Sequence, residues 1–390
     1  MSSLVGGAAR PLLIAGPSSD PDTDGSAVLE FAHRLGVPVL ADPLSGARFA
    51  GPGDDVVVST YAALLWHTET VARLAPDLII RTGRTFTSAS LERALLRWSK
   101  GGQADAAPPA DEESSPATQV VVDSGSVRKD HLNLADWYVE HAPSHLLPRV
   151  EGERTADREA WLALWRTYGR LAREALNDSL TIPGHEAAFV AAAVRGAPEG
   201  GTLFVSNSMP VRDLDLVGDP EWGRRRILGN RGASGIDGIV STALGAAAAA
   251  DEPLVAVLGD LALLHDTNGL LRARDKDLNA VLVVIDNDGG GIFHMLPIRS
   301  FEPAFTPYFA TPHGLDLAGA ARLYEVPFHE AAVPEDLELG VTRAVEAGGV
   351  HIIRCRTDRQ RNQEAHESSR ALVTARLDAV KNETEDTDRP

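Results

Sequence analysis

Two polar residues stand at the ends of apolar runs in the second half of the sequence. Asp260 follows "LVAVLG", and Asn287 follows "AVLVVID". They lie 27 positions apart, which accommodates one helix and one strand. Because a right-handed crossover returns parallel strands to the same edge of a sheet, both side chains are predicted at its carboxyl edge, where ligands bind in open α/β sheets.

This pair has the chemistry of a hard-cation site. Aspartate, asparagine and the backbone carbonyl of Gly289 offer the oxygen ligands that Mg²⁺ (or Mn²⁺) prefers, and such a cation shares its shell with phosphate oxygens and water. The helix after Asp260 and the turn 289–291 direct backbone N–H groups to the same place, which suits a diphosphate. Alternatively, Asp260 only caps a helix and "NDGG" is only a turn. The combination at this spacing favours a metal-bound diphosphate.

Alternating strands and helices are needed to position these residues. Strands are predicted at "PLLIAG", "VPVLAD", "DLIIRTG" and "TQVVVDS" in the first block and at "TLFVSNS", "RILGN", "LVAVLGD", "AVLVVIDN" and "GVHIIRC" in the second. In the first block, helices are predicted near 25–35, 60–74 and 88–98. Apolar strands that alternate with helices indicate parallel sheets covered on both faces. The fold class is therefore α/β, with two doubly wound parallel-sheet domains.

The domain boundaries follow from the same pattern. We expect a first domain at 1–150, with a mobile surface insertion at about 101–117 that is rich in Ala, Pro, Ser and acidic residues. A connecting helix is predicted at 151–182, where apolar residues recur with helical period. The second domain covers 183–370, and the charged tail 371–390 should fray.

Composition excludes several classes of function. Asp and Glu number 55 against 37 Lys and Arg, giving a net charge of −18, which argues against nucleic-acid binding and docking on anionic membranes. No apolar run reaches the ~18 residues of a membrane span, and no signal peptide is visible, so we expect a cytoplasmic protein without integral membrane contact. The first strand is followed by "AGPSSDPDTDG" rather than by G-x-G-x-x-G, which argues against a dinucleotide site. The one cysteine, Cys355, is predicted to pack inertly in a strand.

Four motifs carry a resemblance to a known family. "GDLALLHDTNGL", "NRGASGIDG", "SNSMPVRD" and "NDGGGIF" resemble the thiamine-diphosphate enzymes, in which a Gly-Asp ends one strand and an Asn ends the next. Leu261 stands where most of these families have a second glycine. That departure is usual in the branch that the motifs resemble, the 2-succinyl-5-enolpyruvyl-6-hydroxy-3-cyclohexene-1-carboxylate synthases, often called MenD.

The resemblance implies a transferase of menaquinone biosynthesis. Thiamine diphosphate, held through Mg²⁺ or Mn²⁺ by Asp260, Asn287 and Gly289, would serve the decarboxylation of 2-oxoglutarate and the addition of the succinyl-semialdehyde unit to isochorismate. Positions 1–150 would be the middle, transhydrogenase-like domain of this family, and positions 183–370 the diphosphate-binding domain.

The resemblance also implies roles for individual residues. The cofactor-binding residues would be Ser206, Asn207, Ile236, Leu261, Ala262, Gly289, Gly290 and Ile292, with Ile236 supporting the bent cofactor. The substrate-binding residues would be Ser208, Arg212, Arg231, Phe293 and Leu296. Both arginines follow predicted strands, and a guanidinium matches carboxylate geometry. Alternatively, either arginine pairs only with a nearby aspartate such as Asp213 or Asp237, and the apolar residues are ordinary core.

Enzymes of this family have a further, N-terminal pyrimidine-binding domain that this chain is expected to lack. The glutamate that activates the cofactor belongs to that domain, so no catalytic residue is assigned here. The resemblance implies a homo-oligomer, with the cofactor between this domain of one subunit and the diphosphate-binding domain of another. We therefore expect weak cofactor binding and little turnover from the chain alone, whether it is a fragment, one chain of a split enzyme or a degenerate remnant. Other candidate functions are a different thiamine-diphosphate carboligase, a 2-oxoacid decarboxylase subunit, or a catalytically silent binding or assembly subunit.

Overall fold

The computed structural model describes residues 1–99, 116–125, 128–275 and 277–387. The chain divides into two compact units. The first unit comprises Met1–Leu176, Gly218–Glu221 and Arg370–Pro390, and the second comprises Asn177–Val217 and Trp222–Ser369. The predicted insertion falls mostly on residues 101–115, which lie outside the described residues.

The first unit contains a five-stranded parallel sheet. Its strands are β1 (Pro11–Ala15), β2 (Val39–Ala41), β3 (Leu78–Thr82), β4 (Thr118–Asp123) and β5 (Trp137–Glu140), in the spatial order β2-β1-β3-β4-β5. The helices are α1 (Ser2–Gly7), α2 (Pro21–Leu35), α3 (Tyr61–Leu64), α4 (Thr68–Arg73), α5 (Ala89–Trp98), α6 (Pro143–Leu146) and α7 (Ala156–Ser179). Leu13, Ile80 and Val122, on three neighbouring strands, share one fully buried core with Phe31 of α2.

Two elements of the first unit differ from the sequence prediction. The single helix expected at 60–74 is two short helices, α3 and α4. Strand β5 was not predicted, because its residues are half-buried or exposed and Trp137 is 59% exposed. An edge strand of this kind lacks the continuous apolar run that marked the other four strands. The predicted connecting helix corresponds to α7, which belongs to the first unit as far as Leu176.

The second unit contains a six-stranded parallel sheet. Its strands are β6 (Thr202–Val205), β7 (Arg226–Leu228), β8 (Leu254–Gly259), β9 (Asn279–Asp286), β10 (Phe328–Ala331) and β11 (Gly349–Arg356), in the order β10-β11-β9-β8-β6-β7. Its helices are α8 (Glu186–Gly196), α9 (Met209–Val217), α10 (Ile239–Ala249), α11 (Asp260–His265), α12 (Ala318–Leu323), α13 (Pro334–Ala347) and α14 (Arg359–Thr387), the last of which continues into the first unit's Arg370–Pro390 segment. The prediction of two parallel-sheet α/β domains is confirmed. The segment predicted as a charged tail is helical as far as Thr387.

The strand order of the second unit fixes where a ligand can bind. After β6 the chain adds β7 on one side, and it then returns to add β8 on the other side of β6. The crossovers therefore run in opposite directions from β6 and leave a crevice outside the carboxyl ends of β6 and β8. Gly259, Asp260 and Asn207 lie at this topological switch point.

Among the described residues, none of the helices is long and apolar enough to cross a membrane.

Candidate functional site

Asp260 occupies the junction between β8 and α11. Its side chain is buried, and its Oδ1 accepts a hydrogen bond from the backbone N–H of Leu261 at 2.6 Å. Its Oδ2 accepts from the backbone N–H of Gly289 at 2.8 Å. Burial raises the pKa of the Asp260 carboxyl, although these hydrogen bonds oppose the shift. The carboxylate thus joins the end of β8 to the glycine turn that follows β9, as the spacing of the two motifs predicted.

The glycine turn after β9 packs directly against a neighbouring backbone. Gly289 has φ +137°, and a Cβ there would lie 2.0 Å from the carbonyl oxygen of Ala310. A Cβ on Gly290 would lie 2.4 Å from the carbonyl oxygen of Phe309, and the Gly290 N–H donates to Ala310 O at 2.7 Å. Only glycine fits at these two positions. The N–H groups of the turn are used within the protein, by Asp260, Ala310 and Gly289, so the turn can offer a ligand its Gly289 carbonyl rather than the N–H groups that the sequence predicted for a diphosphate.

Asn287 offers an acceptor that the protein leaves unused. Its Nδ2 donates to Oε1 of Glu186 at 2.9 Å. Its Oδ1 is buried and has no hydrogen-bond partner in the described part of the chain. The guanidinium of Arg359 holds the following backbone, donating to the carbonyls of Asn287 at 2.8 Å and Asp288 at 2.9 Å. An unpaired buried oxygen is costly, so this atom points to a ligand that completes the site.

His313 reaches the same carboxylate from a later loop. Asp260, Asp286 and His313 each offer a ligand atom, and these atoms lie within 4.8 Å of one another. The Nδ1 of His313 accepts from the backbone N–H of Leu315 at 3.0 Å, which assigns the ring proton to Nε2. Nε2 then donates to Asp260 Oδ2 at 3.2 Å. His313 is therefore placed to orient the Asp260 carboxylate rather than to act as a third cation ligand.

The oxygen donors at this edge fit a hard divalent cation. They comprise the buried carboxylate of Asp260, the unpaired Oδ1 of Asn287 and the carbonyl of Gly289, which also accepts from the Gly291 N–H at 3.0 Å. This donor set leaves coordination positions for phosphate oxygens and water, as Mg²⁺ and Mn²⁺ sites commonly do. The residues present therefore suit the predicted cation and the diphosphate bound to it.

Two arginines face the same crevice without carboxylate partners. Arg212 Nη1 donates to the carbonyl of Ser208 at 2.7 Å, and Arg231 Nη1 donates to Oδ1 of Asn207 at 2.7 Å. Within the described ranges, neither guanidinium lies within 4.0 Å of a carboxylate oxygen. Burial lowers the pKa of Arg212, and the charge of Arg231 adds to this effect. Two adjacent cations that repel one another in an acidic protein suit an anionic ligand.

Asn207 organises this side of the crevice. Its Nδ2 donates to the carbonyls of Asn230 and Gly235, at 2.7 Å each, while its Oδ1 accepts from Arg231. Ser208, with φ +73°, also departs from ordinary backbone geometry. Positive φ at a non-glycine residue costs about 1–3 kcal/mol and is concentrated at functional sites.

The crevice forms a cavity of about 410 Å³, within the range of small-molecule sites. Thirteen of the fifteen residues predicted for the site line it: Asn207, Ser208, Arg212, Arg231, Ile236, Asp260, Leu261, Ala262, Asn287, Gly289, Gly290, Ile292 and Phe293. Two do not. Ser206 is fully buried behind the wall, and Leu296 is 47% exposed beyond the 3₁₀ turn Gly291–Met295.

Glu186 is a cavity residue that the sequence analysis did not identify. It is the first residue of α8 and is 1% exposed. Burial, together with the charge of Asp213, raises the pKa of Glu186 to about 7. Behind it, Asp213 lies 3.1 Å from His366 Nε2. Burial opposes protonation of His366, but Asp213 outweighs it and raises the pKa of His366.

Glu186 lies 101 residues from its partner Asn287, and His313 lies 53 residues from its partner Asp260. No local spacing in the sequence therefore links Glu186 or His313 to the predicted pair. One signal for Glu186 was nevertheless present. It precedes "AAFVAAAV", and a carboxylate at the start of an apolar helix is the same kind of anomaly that singled out Asp260.

Comparisons with known proteins show what the chain is similar to. Residues 223–355 match the family described as "Thiamine pyrophosphate enzyme, C-terminal TPP binding domain". Over 94% of its length, the chain is 38% identical to the 2-succinyl-5-enolpyruvyl-6-hydroxy-3-cyclohexene-1-carboxylate synthase of Chloroflexus aurantiacus, covering 61% of that protein. The synthase of Natronomonas pharaonis is 40% identical over 97% of this chain, which covers 60% of the relative.

The fold has a solved counterpart. A Mycobacterium smegmatis structure, described as a thiamin diphosphate-dependent enzyme, superposes with a TM-score of 0.59 at 18% identity, covering 92% of this chain and 63% of that one. At this identity the likeness concerns the fold alone. The chain spans about three fifths of the length of the curated relatives it matches. Residues 223–355 are thus similar to the C-terminal TPP-binding domain of thiamine pyrophosphate enzymes, and the chain is similar to about three fifths of the 2-succinyl-5-enolpyruvyl-6-hydroxy-3-cyclohexene-1-carboxylate synthases.

Proposed function

We propose that the second unit binds thiamine diphosphate through Mg²⁺ or Mn²⁺ and contributes this half of the site to 2-succinyl-5-enolpyruvyl-6-hydroxy-3-cyclohexene-1-carboxylate synthesis. One observation carries the proposal. The unpaired Oδ1 of Asn287 and the buried carboxylate of Asp260 share a cavity with two arginines that have no carboxylate partner in the described ranges. A cation–diphosphate and a dicarboxylate substrate would satisfy these groups together.

Different residues of the cavity would bind different parts of the metal-bound cofactor. Asp260, Asn287 and the Gly289 carbonyl hold the cation, and the cation in turn holds the diphosphate. Ile236 and Ile292 line the cavity and give the cofactor an apolar support. When bound, thiamine diphosphate supplies the chemistry of decarboxylation and carbon–carbon bond formation.

The arginines would select the substrates. Both 2-oxoglutarate and isochorismate carry two carboxylates, and a guanidinium binds a carboxylate through paired hydrogen bonds. Arg212 and Arg231 already use one N–H each on Ser208 O and Asn207 Oδ1. These hydrogen bonds hold both guanidinium groups in place. Each guanidinium has four further N–H groups, so both remain able to bind an anion.

We propose further that turnover needs a pyrimidine-binding domain carrying the activating glutamate, on another segment or another chain, and that the working assembly is a homo-oligomer. The relatives extend beyond the matched region by about two fifths of their length, since only 60–61% of each is covered. This extra length is sufficient for a domain of that kind.

The test supplies the unmatched part of the C. aurantiacus relative as a separate polypeptide. With thiamine diphosphate, Mg²⁺, 2-oxoglutarate and isochorismate, the mixture should release CO₂ and form the adduct, and the chain alone should do neither. Arg212→Met should lower kcat/KM for 2-oxoglutarate about 10-fold or more, since a charged hydrogen bond contributes about 1.5–3 kcal/mol. The control is Arg195→Met, because Arg195 pairs with Glu338 on the surface of the second unit.

Three outcomes separate the candidate functions. Activity with other 2-oxoacids but not with 2-oxoglutarate would identify a different carboligase or decarboxylase. Cofactor binding without any turnover, from a folded complex, would identify a silent binding subunit. Failure of the Arg212 variant to change kcat/KM would remove the arginines from the substrate site.

A further inference from the structure

The carboxylate of Glu186 is held by three side-chain donors. Its Oε1 accepts from Asn287 Nδ2 at 2.9 Å and from Thr357 Oγ1 at 2.7 Å, and its Oε2 accepts from Asn362 Nδ2 at 2.9 Å. Asn362 is itself fixed, because its Oδ1 accepts from the backbone N–H of Glu186 at 3.0 Å. Both carboxylate oxygens therefore act as acceptors in a closed set of contacts.

This set of contacts decides how the Asn287 amide is turned. An amide oxygen and an amide nitrogen have nearly the same size, so only their partners fix which one faces which way. Because Glu186 Oε1 accepts, Nδ2 of Asn287 must face it, and Oδ1 must face the opposite direction. There, Oδ1 is buried and lacks a protein partner in the part of the chain that the structure describes.

We infer that Glu186 is a positioning residue that turns the Asn287 amide so that its oxygen, rather than its nitrogen, faces the divalent cation. The inference rests on the proposed function and deepens it. Without Glu186 the amide could rotate and present its NH₂ group, which cannot ligate a cation. Thr357 and Asn362 support the arrangement by keeping the Glu186 carboxylate in place.

Three other features of the chain do not account for the orientation. Gly291 limits the volume around the amide, since a Cβ there would lie 2.5 Å from Asn287 Nδ2, but sterics do not distinguish NH₂ from O. Arg359 binds the backbone carbonyl of Asn287 and not its side chain. His313 contacts Asp260 and not Asn287. Glu186 is the group that accepts from Nδ2.

The test measures Mn²⁺ binding by electron paramagnetic resonance in the presence of thiamine diphosphate, so it does not depend on turnover. Glu186→Met keeps an unbranched side chain of similar length but removes the acceptor. Loss of a group that orients a metal ligand typically weakens metal binding about 10- to 100-fold, and that loss is expected here. The matched control is Glu338→Met, on the surface of the same unit, which should bind Mn²⁺ like the unaltered chain.

A second variant separates orientation from simple destabilisation. Asn287→Asp makes both terminal atoms oxygens, so its orientation no longer matters. The substitution should therefore strengthen Mn²⁺ binding far more in the Glu186→Met background than beside Glu186, where two carboxyl groups would meet. The gain in Mn²⁺ affinity from Asn287→Asp is expected to be about 10-fold or more greater in the Glu186→Met background than beside Glu186. A purely structural role for Glu186 predicts that Asn287→Asp does not restore Mn²⁺ binding in the Glu186→Met background.

Each outcome is decisive. Unchanged Mn²⁺ affinity in Glu186→Met, or no recovery of that affinity when Asn287→Asp is added to Glu186→Met, overturns the inference and leaves the proposed function intact. Absence of Mn²⁺ binding by the unaltered chain overturns the proposed cofactor site and the inference with it. If Glu186→Met does not fold, as judged by circular dichroism, Glu186→Leu, which also removes the acceptor, takes its place in both comparisons.

Discussion

Both units contain a parallel sheet with a topological switch point, but the crevice at that point is closed in the first unit and open in the second. In the first unit, the crevice outside β1 and β3 is closed by the chain's own backbone. The Gly16 N–H donates to Thr82 O at 2.9 Å, and the Arg84 N–H donates to Pro17 O at 2.9 Å. A Cβ on Gly16 would lie 2.0 Å from Arg84 O, so the two loops are in direct contact.

In the second unit, the corresponding crevice outside β6 and β8 is open. It forms the cavity of about 410 Å³, and it contains the unpaired Oδ1 of Asn287. The glycines of this unit bring backbone to the cavity wall, whereas Gly16 brings two loops together. The same strand order around the switch point thus yields a closed structural edge in one unit and a ligand-binding edge in the other.

The strand-end carboxylates show why sequence position alone does not identify a site. Asp42 follows β2 and is fully buried, and its two oxygens accept from the backbone N–H groups of Leu44 at 3.0 Å and Thr87 at 2.9 Å. Asp260 also accepts from two backbone N–H groups. The difference is that Asp260 lines a cavity with an unpaired acceptor and two cations, while Asp42 only fixes loops. The surroundings of the carboxylate, rather than its location, indicate function.

The largest effect expected of a glycine substitution comes from comparing glycines at the two crevices. Gly289→Ala would force a Cβ to within 2.0 Å of Ala310 O at φ +137°, displacing the turn that meets Asp260. Mg²⁺-dependent thiamine diphosphate affinity should fall about 10- to 100-fold, as measured by calorimetry. Gly16→Ala meets an equally close backbone oxygen, and should lower the free energy of unfolding by about 1–3 kcal/mol without changing cofactor affinity. Equal losses of affinity in both variants would break the comparison.

A smaller effect concerns titration behind the second crevice. Burial, reinforced by the neighbouring His366, lowers the pKa of His185 to about 4 from its ordinary 6.5. The folded pKa is below the unfolded one, so the stability contributed by neutral His185 is complete above pH 6.5 and is lost as pH falls through 4. Between pH 6.5 and pH 4, the contribution of neutral His185 to the free energy of unfolding falls by about 3 kcal/mol.

The measurement is the free energy of unfolding of His185→Gln and of the unaltered chain between pH 7 and 4. Glu186, Asp213 and His366 face the same cluster, and Glu186 and His366 titrate with the opposite sign. The contribution of His185 is therefore taken as the difference between the two proteins, and as pH falls the unaltered chain should lose stability relative to His185→Gln. A constant difference would contradict the assignment. The control His131→Gln changes an exposed histidine of the first unit.

Much of the fold could be predicted because buried parallel strands are continuous apolar runs. Nine strands were identified in this way, and the two that were missed, β5 and β10, are edge strands. Strand β10 has the sequence "FHEA" with two exposed residues, so it carries neither an apolar run nor a regular alternation. Edge strands are defined by pairing with a neighbour, and a local pattern does not reveal that pairing.

The same distinction, between what a local sequence pattern reveals and what tertiary packing decides, applies to the candidate site. Asp260, Asn287 and the glycine turn were predictable because two strand ends with a crossover between them must meet at one edge of a sheet. Glu186 and His313 were not, since they approach from separate elements whose packing no spacing rule fixes. Leu296 was expected in the cavity by motif match, but the 3₁₀ turn before it ends at Met295 and directs the chain away from the wall. Tertiary packing, rather than local sequence, decides these three positions.

The most direct test of the account is calorimetric titration of thiamine diphosphate into the folded chain, with and without Mg²⁺. We predict one Mg²⁺-dependent binding site per chain, which Asp260→Ala weakens more than about 100-fold, since removing a ligand exceeds the cost of losing an orienting neighbour. Asp42→Ala, the matched change at the closed crevice, should leave the affinity of the folded protein unchanged. Binding that survives Asp260→Ala, or that does not require Mg²⁺, would contradict the account.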